Sequence, residues 1–167
     1  MRWFWIDRFE EFVRNSRAVA IKNVSLAEEH LHDHFPGLPL MPNSLVVEGM
    51  AQTAGLLVAD AIDFNRRVVL AKVANATFHF DAEPGDTLRF EASVMDIKAA
   101  GSLMKVSSTI GDKLQGEAEL FFAHLEPGEG VPTLFEPDEL LTWLDHLKIF
   151  EVGTDQEGNP LVRPDWS

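Results

Sequence analysis

Hydrophobic positions along this chain change period near its middle, and each period predicts a different element. Residues 17–24 alternate, with Ala18, Ala20 and Lys22 on one side and Val19, Ile21 and Asn23 on the other, the signature of a strand. Residues 4–13 mix two periods and carry no assignment. From Asn43 or Ser44, either of which suits a helix N-cap, to about Ile62, apolar residues fall around most of a helical circumference: Leu45, Val46, Val47, Met50, Ala51, Ala54, Leu56, Leu57, Val58, Ala61 and Ile62. A helix apolar on nearly all sides is a buried one. Its one polar line is Ser44, Glu48 and Gln52, spaced by four and so stacked on a single face.

After this helix the period shortens. Residues 68–72, 76–80, 87–97, 103–110 and 115–124 have strand composition, and Glu83-Pro84-Gly85-Asp86, Ala100-Gly101 and Gly111-Asp112 are turn signals between them. Strands joined by such short turns pair antiparallel. The pattern predicts an α+β fold in which one antiparallel sheet wraps a long buried helix at about 43–62. Ser25-Leu26-Ala27-Glu28 has capping-box spacing, so a short helical turn is expected there. Residues 34–42 contain three prolines and a glycine, which forbid continuous hydrogen bonding and predict a shaped loop.

The tail reads differently. Residues 126–132 are a Pro/Gly-rich linker, and residues 136–148 place Leu140, Leu141, Leu144 and Leu147 at helical spacing behind Pro137-Asp138-Glu139, which suits a first turn. One amphipathic helix is expected at about 136–148 and a loose chain beyond Gly153. The organisation is therefore a main domain over 1–125 and an extension over 126–167, with no internal repeat.

Composition narrows the function. The chain has 167 residues, 46% of them hydrophobic, with 12 Phe and 4 Trp, enough to bury a core, and no cysteine, which excludes disulfides, thiolate catalysis and cysteine-ligated metals. Glu48, Gln52 and Asp60 interrupt the longest apolar stretch, so no membrane span is expected. Asp7 and Arg8 break the N-terminal apolar run, so no export signal is expected; the compartment stays open, though the lack of cysteine fits a reducing cytoplasm best. The net charge of −13, with no basic cluster larger than Arg66-Arg67, argues against nucleic acid as a partner. Residues 1–125 hold 17 acidic against 12 basic groups and residues 126–167 hold 10 against 2, so the extension is the more acidic surface.

The sharpest chemical signal is His34 in the rigid loop together with Glu48 about one turn into the apolar helix. Imidazole, with an ordinary pKa near ~6.5, takes a proton near neutrality, and a carboxyl group in apolar surroundings is pushed toward its protonated form. Two groups held in opposite states serve as base and acid. The loop delivers the chain to a helix N-terminus at Asn43-Ser44, where unsatisfied backbone N–H groups can polarise a carbonyl oxygen. Base, acid and enolate stabiliser are what removal of water from a 3-hydroxyacyl thioester requires. Leu45, Val46, Phe78, Phe80, Phe121 and Phe122 are candidates to line an acyl channel, although such residues also build plain core. The bland alternatives are a Glu48 paired structurally with an arginine and a His34 bonded to backbone.

The run His34-Phe35-Pro36-Gly37-Leu38-Pro39-Leu40-Met41-Pro42, continued by Leu45-Val46-Val47-Glu48-Gly49-Met50-Ala51-Gln52, resembles the signature of bacterial 3-hydroxyacyl-acyl-carrier-protein dehydratases. Residues 17–25, the Pro84-Gly85-Asp86 turn and Gly116-Glu117-Ala118-Glu119-Leu120 resemble that family too, so the similarity covers roughly residues 5–125. It implies a hot-dog fold, in which the sheet wraps the helix, and a homodimer or a trimer of dimers whose sites each take His34 from one chain and Glu48 from the other. It implies His34 as base at the α-carbon, Glu48 as the acid assisting hydroxide departure, and Gln52 as the partner that orients Glu48, with Phe35 in support. Asn43, Ser44 and Gly37 would position the thioester. No metal or organic cofactor is implied, and the substrate is an acyl chain on the phosphopantetheine arm of an acyl-carrier protein or of coenzyme A, in fatty-acid or related lipid synthesis.

Three features depart from that family's pattern. Asn43 stands where it usually has glycine. Without any tyrosine, a gate over the channel would have to be Phe64 or Phe80. The acidic extension lies outside the resemblance, and an acidic carrier would need a local basic patch, from Arg66, Arg67, Lys72 or Lys98. His30, His32 and His34 beside Asp33 miss the binuclear metal spacing by one residue, so no metal is expected. His79 and His124 read as partly exposed strand residues, Trp143 as a packing anchor, and Trp3 and Trp5 as packing at an oligomer surface. Two other readings stay open on the same fold: an acyl thioesterase and a catalytically silent acyl-binding module.

Overall fold

A computed structural model describes residues 4–126 and 137–165. The chain enters as β1 (Arg8–Val13) and returns as β2 (Arg17–Asn23), then forms the one-turn α1 (His30–Asp33), the loop over 34–42 and the long α2 (Asn43–Ala61). Four long strands follow: β3 (Arg67–Phe78), β4 (Thr87–Lys98), β5 (Gly101–Ile110) and β6 (Lys113–Leu125). The extension adds α3 (Pro137–His146), α4 (Ile149–Val152) and β7 (Gly153–Thr154). The strands among the described residues form one sheet in the order β3-β6-β5-β4-β2-β1-β7, antiparallel except where β7 joins β1 in parallel.

Alternation decides which face of the sheet meets the helix. Leu88, Phe90 and Ala92 of β4, Met104 and Val106 of β5, and Ala118, Leu120 and Phe122 of β6 point inward and are buried. Against them α2 sets Val46, Met50, Ala54, Leu57 and Val58, all fully buried. The antiparallel sheet wrapped on one long helix is the hot-dog fold.

Several expectations need correction. Residues 4–13 resist a period reading because a bulge between Phe9 and Glu11 inserts an extra residue. Phe9 and Phe12, three apart, therefore both reach the core, with ring centroids 5.2 Å apart. The two segments at 68–72 and 76–80 are largely one strand, β3, whose register shifts at Leu70/Lys72 and Val73/Asn75 break the alternation that sequence periodicity relies on. Helix α2 is capped by Pro42 and no side chain bonds the cap, so Asn43 is the first helical residue and neither it nor Ser44 is the cap. At the Ser25 turn, Glu28 does reach back to the Ser25 N–H at 2.9 Å, but Ser25 Oγ takes the Ala27 N–H instead of that of Glu28.

Residues 153–161 are fastened to the sheet edge, contrary to the loose chain expected beyond Gly153. Edge strand β1 offers unpaired backbone groups, and Gly153 and Thr154 occupy them opposite Phe12 and Val13. Asp155 then closes a turn by accepting from the Glu157 and Asn159 N–H groups and the Asn159 side chain. Leu144, Leu147 and Ile149 join the same buried cluster as α2. The linker at 127–132 and Trp3 lie outside the described residues.

Candidate active site

The loop before α2 is held by its own backbone. Phe35 and Leu38 exchange N–H···O bonds of 2.8 Å, Leu40 N–H reaches His34 O at 2.9 Å, and Met41 N–H reaches Ala82 O at 2.8 Å. Gly37 sits at φ +80, a conformation that side chains disfavour, at the tip of this turn. The His34–Phe35 peptide is cis. The His34 ring is half-buried, stacks on Phe35 with centroids 4.2 Å apart, and has Nδ1 3.2 Å from the Leu40 carbonyl. Phe35 itself is 53% exposed.

On α2, Gln52 Nε2 donates to Glu48 Oε1 at 2.9 Å, the contact that i, i+4 spacing permits. The other end of that amide is committed as well, since Trp5 N–H donates to Gln52 Oε1 at 2.8 Å. Trp5 comes this close because residue 49 is glycine: a Cβ there would stand 2.9 Å from the Trp5 carbonyl oxygen and 2.6 Å from the Phe90 ring. Sequence reasoning missed Trp5, whose part is played by its backbone. The Glu48-Gly49 pair was the available clue, since a glycine inside a buried helix signals a close approach.

Glu48 is exposed in the single chain, which differs from the burial its helix suggested. The polar line faces out of the hot-dog. Among the described residues no hydrogen bond or ion pair joins His34 to Glu48 within one chain. Nearby, Lys22 is buried and bonds both oxygens of Glu28 at 3.0 Å. The His30 ring meets Trp5 edge-on at 5.1 Å, and burial lowers its basicity.

At the helix N-terminus the Asn43 and Ser44 N–H groups have no intrahelical acceptor by position. Asn43 lies outside the left-handed region, so the departure from glycine costs the backbone nothing there. Its side chain lies 3.5 Å from both Asp81 Oδ1 and Gln115 Nε2. Gln115, fully buried, donates to the Phe80 carbonyl at 2.8 Å and accepts from Ser108 Oγ at 2.5 Å. This polar bracket under the helix start was also missed. A glutamine at an inward position of a strand was its signal.

Other expected residues fall elsewhere. Val46 and Phe122 are core, while Phe121 points to the opposite face and is 39% exposed. Phe64 lies past the C-terminal end of α2, about 28 Å of helix from Asn43 by the rise of 1.5 Å per residue. There it lines a cleft of about 340 Å³ with Arg14, Asp60, Asp63 and Phe150, a cleft lined by none of His34, Glu48 or Gln52. Of the expected basic patch, Arg66 pairs with Glu126 at 2.5 Å and Lys98 with Asp96 at 2.8 Å. His124 is buried, not partly exposed, because it faces inward on β6, with Nε2 3.3 Å from Ser102 Oγ. Trp5 is buried against His30 rather than at the surface. No helix among the described residues is long and apolar enough to cross a membrane.

Residues 4–114 match the family model described as a FabA-like domain. A 3-hydroxyacyl-[acyl-carrier-protein] dehydratase FabZ of Koribacter versatilis is 40% identical over 115 residues, which are 68% of this chain and 74% of the relative. A FabZ of Desulforamulus reducens is 37% identical over 119 residues, 71% of this chain and 84% of the relative. Among solved structures, smu.793 from Streptococcus mutans bound to acetyl CoA superposes with a TM-score of 0.62 at 13% identity, covering 77% of this chain and 96% of that one, and shares the fold.

Proposed function

This chain belongs to the FabA-like family, and from that premise we propose that His34 and Glu48 carry its chemistry at the N-terminal end of α2. The reaction is dehydration of a 3-hydroxyacyl thioester to the trans-2-enoyl thioester in fatty-acid synthesis, and the chain is a hydro-lyase. His34 takes the α-proton, and the electron pair left behind becomes the new double bond. Glu48 protonates the β-hydroxyl, whose C–O bond breaks as water leaves. The Asn43 and Ser44 N–H groups, behind the loop turned by Gly37, hold the thioester oxygen while negative charge builds on it. Phe35 fixes the His34 ring by stacking.

The observation that carries this reading is the committed amide of Gln52. With its oxygen taken by Trp5, its NH2 is left for Glu48 Oε1, which leaves the second carboxyl oxygen for the substrate. The helical backbone at Asn43 supports the oxyanion role despite the missing glycine.

The active unit is a homodimer in which one subunit's His34 works with the partner's Glu48. Two features favour this: His34 and Glu48 do not touch within one chain, and β3 is an edge strand exposed along most of its 12 residues. The acyl carrier is an acyl-carrier protein or coenzyme A. Arg67 and Lys72 on β3 remain as basic docking groups.

Enoyl-thioester absorbance with 3-hydroxybutyryl coenzyme A tests the assignment, with free thiol followed in parallel. Loss of turnover by about 10²-fold or more in both His34→Ala and Glu48→Gln is the expected result. Thiol release by the wild type would make the chain a thioesterase, and tight acyl binding without turnover would make it a silent module.

A further inference from the structure

We infer that the C-terminal extension positions the catalytic acid, with Trp143 as the residue through which it acts; this rests on the reading of Glu48 as that acid. The family match ends at residue 114, so α3 lies outside it. Yet α3 touches the segment that sets Gln52. The Trp143 ring stacks on Phe4 with centroids 4.1 Å apart and planes 29° from parallel. Phe4 is bonded to Trp5, whose N–H fixes Gln52, whose amide in turn holds Glu48.

The logic of the relay is that an amide side chain has one accepting end and one donating end. While Trp5 N–H holds the oxygen, the nitrogen faces the carboxyl group. If Phe4 and Trp5 move off α2, the Gln52 oxygen loses the Trp5 donor, and an amide turned with its oxygen toward Glu48 offers that carboxyl no donor.

The clamp is firm at both ends. Leu144 and Leu147 are in the core, and the Leu147 carbonyl accepts the Phe9 N–H at 2.9 Å, so α3 is fastened to the start of β1 just beyond the segment it presses. On the other side, Gly49 lets the Trp5 backbone lie directly on α2. A segment trapped between a helix and an aromatic ring loses its freedom to drift, and small displacements of a catalytic group are costly in rate.

The test is steady-state kinetics of the full chain on 3-hydroxybutyryl coenzyme A. Trp143→Ala should lower kcat about tenfold with KM changed less than about twofold, and Trp143→Phe, which keeps a ring against Phe4, should restore most of the loss. In a Gln52→Ala background Trp143→Ala should cost nothing further, because the relay is already cut. A kcat within about twofold of wild type, or an equal loss in both backgrounds, overturns the inference. Should Trp143→Ala lose its circular dichroism, Phe4→Ala breaks the same stack from the other side and is judged by the same criteria. Glu48→Gln is run alongside. If it is unimpaired, the assignment of the acid falls and this inference with it; if it is dead while Trp143→Ala is unaffected, this inference alone falls.

Discussion

Gly49 and Phe90 meet so closely that a Cβ on residue 49 would stand 2.6 Å from the ring and 2.9 Å from the Trp5 carbonyl oxygen. The Phe90 ring is fully buried and the oxygen is backbone, so neither yields cheaply. Alanine would gain about 1 kcal/mol in helix propensity and lose about 1–3 kcal/mol to overpacking. Gly49→Ala is therefore expected to lower stability by up to about 2 kcal/mol and to reduce kcat, since Trp5 is pushed off Gln52. Urea unfolding checks the first part; an unchanged midpoint would show that the helix and the entry segment part without cost.

Position 43 separates the backbone from the side chain. Proline is well tolerated at the first helical residue, where its missing N–H has no intrahelical partner, and Pro42 at ψ 132 already has the conformation that a following proline prefers. Asn43→Pro should fold and lose about 10²-fold in kcat, as expected for removing one oxyanion donor. Asn43→Gly should stay within a few-fold of wild type, because it keeps the N–H. Equal kinetics for the two variants would remove this N–H from the oxyanion site.

Asp60 supplies a pH dependence of stability. Burial pushes its carboxyl up from 3.8 to about 6, with Arg14, whose Nε is 3.7 Å away, opposing the shift and Asp63 adding to it. Asp155 also borders that cleft, and among the described residues no hydrogen bond reaches Asp60 Oδ2. The folded state therefore binds this proton more tightly than the unfolded chain. Its contribution favours folding below the ordinary carboxylate range, declines as pH rises to about 6, and is flat above that. Urea midpoints of wild type and Asp60→Asn should thus differ most above about pH 7, in favour of the variant, and converge or cross on going down to about pH 5. A pH-independent difference would show that Asp60 titrates normally.

Leu144, fully buried on α3, tests whether the extension and the hot-dog unfold together. Leu144→Ala is expected to cost about 2–5 kcal/mol and to shift one cooperative transition. Tryptophan fluorescence and far-ultraviolet circular dichroism should give the same midpoint. Two separated transitions would make the extension an independently melting unit.

Much of this protein is legible in its sequence. The long helix was readable because Leu45 to Ile62 surround it with apolar side chains, and β4 to β6 because Leu88-x-Phe90-x-Ala92 and its neighbours alternate. His34, Glu48, Gln52 and the Asn43 backbone could be singled out as candidates because a Pro/Gly loop feeds an apolar helix that carries a single polar line. Bulges concealed β1 and joined the two halves of β3, since one inserted residue inverts a period of two. Only the tertiary structure could bring Trp5 to Gln52 and Trp143 to Phe4. Those contacts join backbone and rings 47 and 139 positions apart, and they depend on three-dimensional closeness at Gly49 that no local pattern encodes. Whether a carboxylate on a buried helix is itself covered was likewise decided by the wrap of the sheet, which leaves the line of Glu48 open.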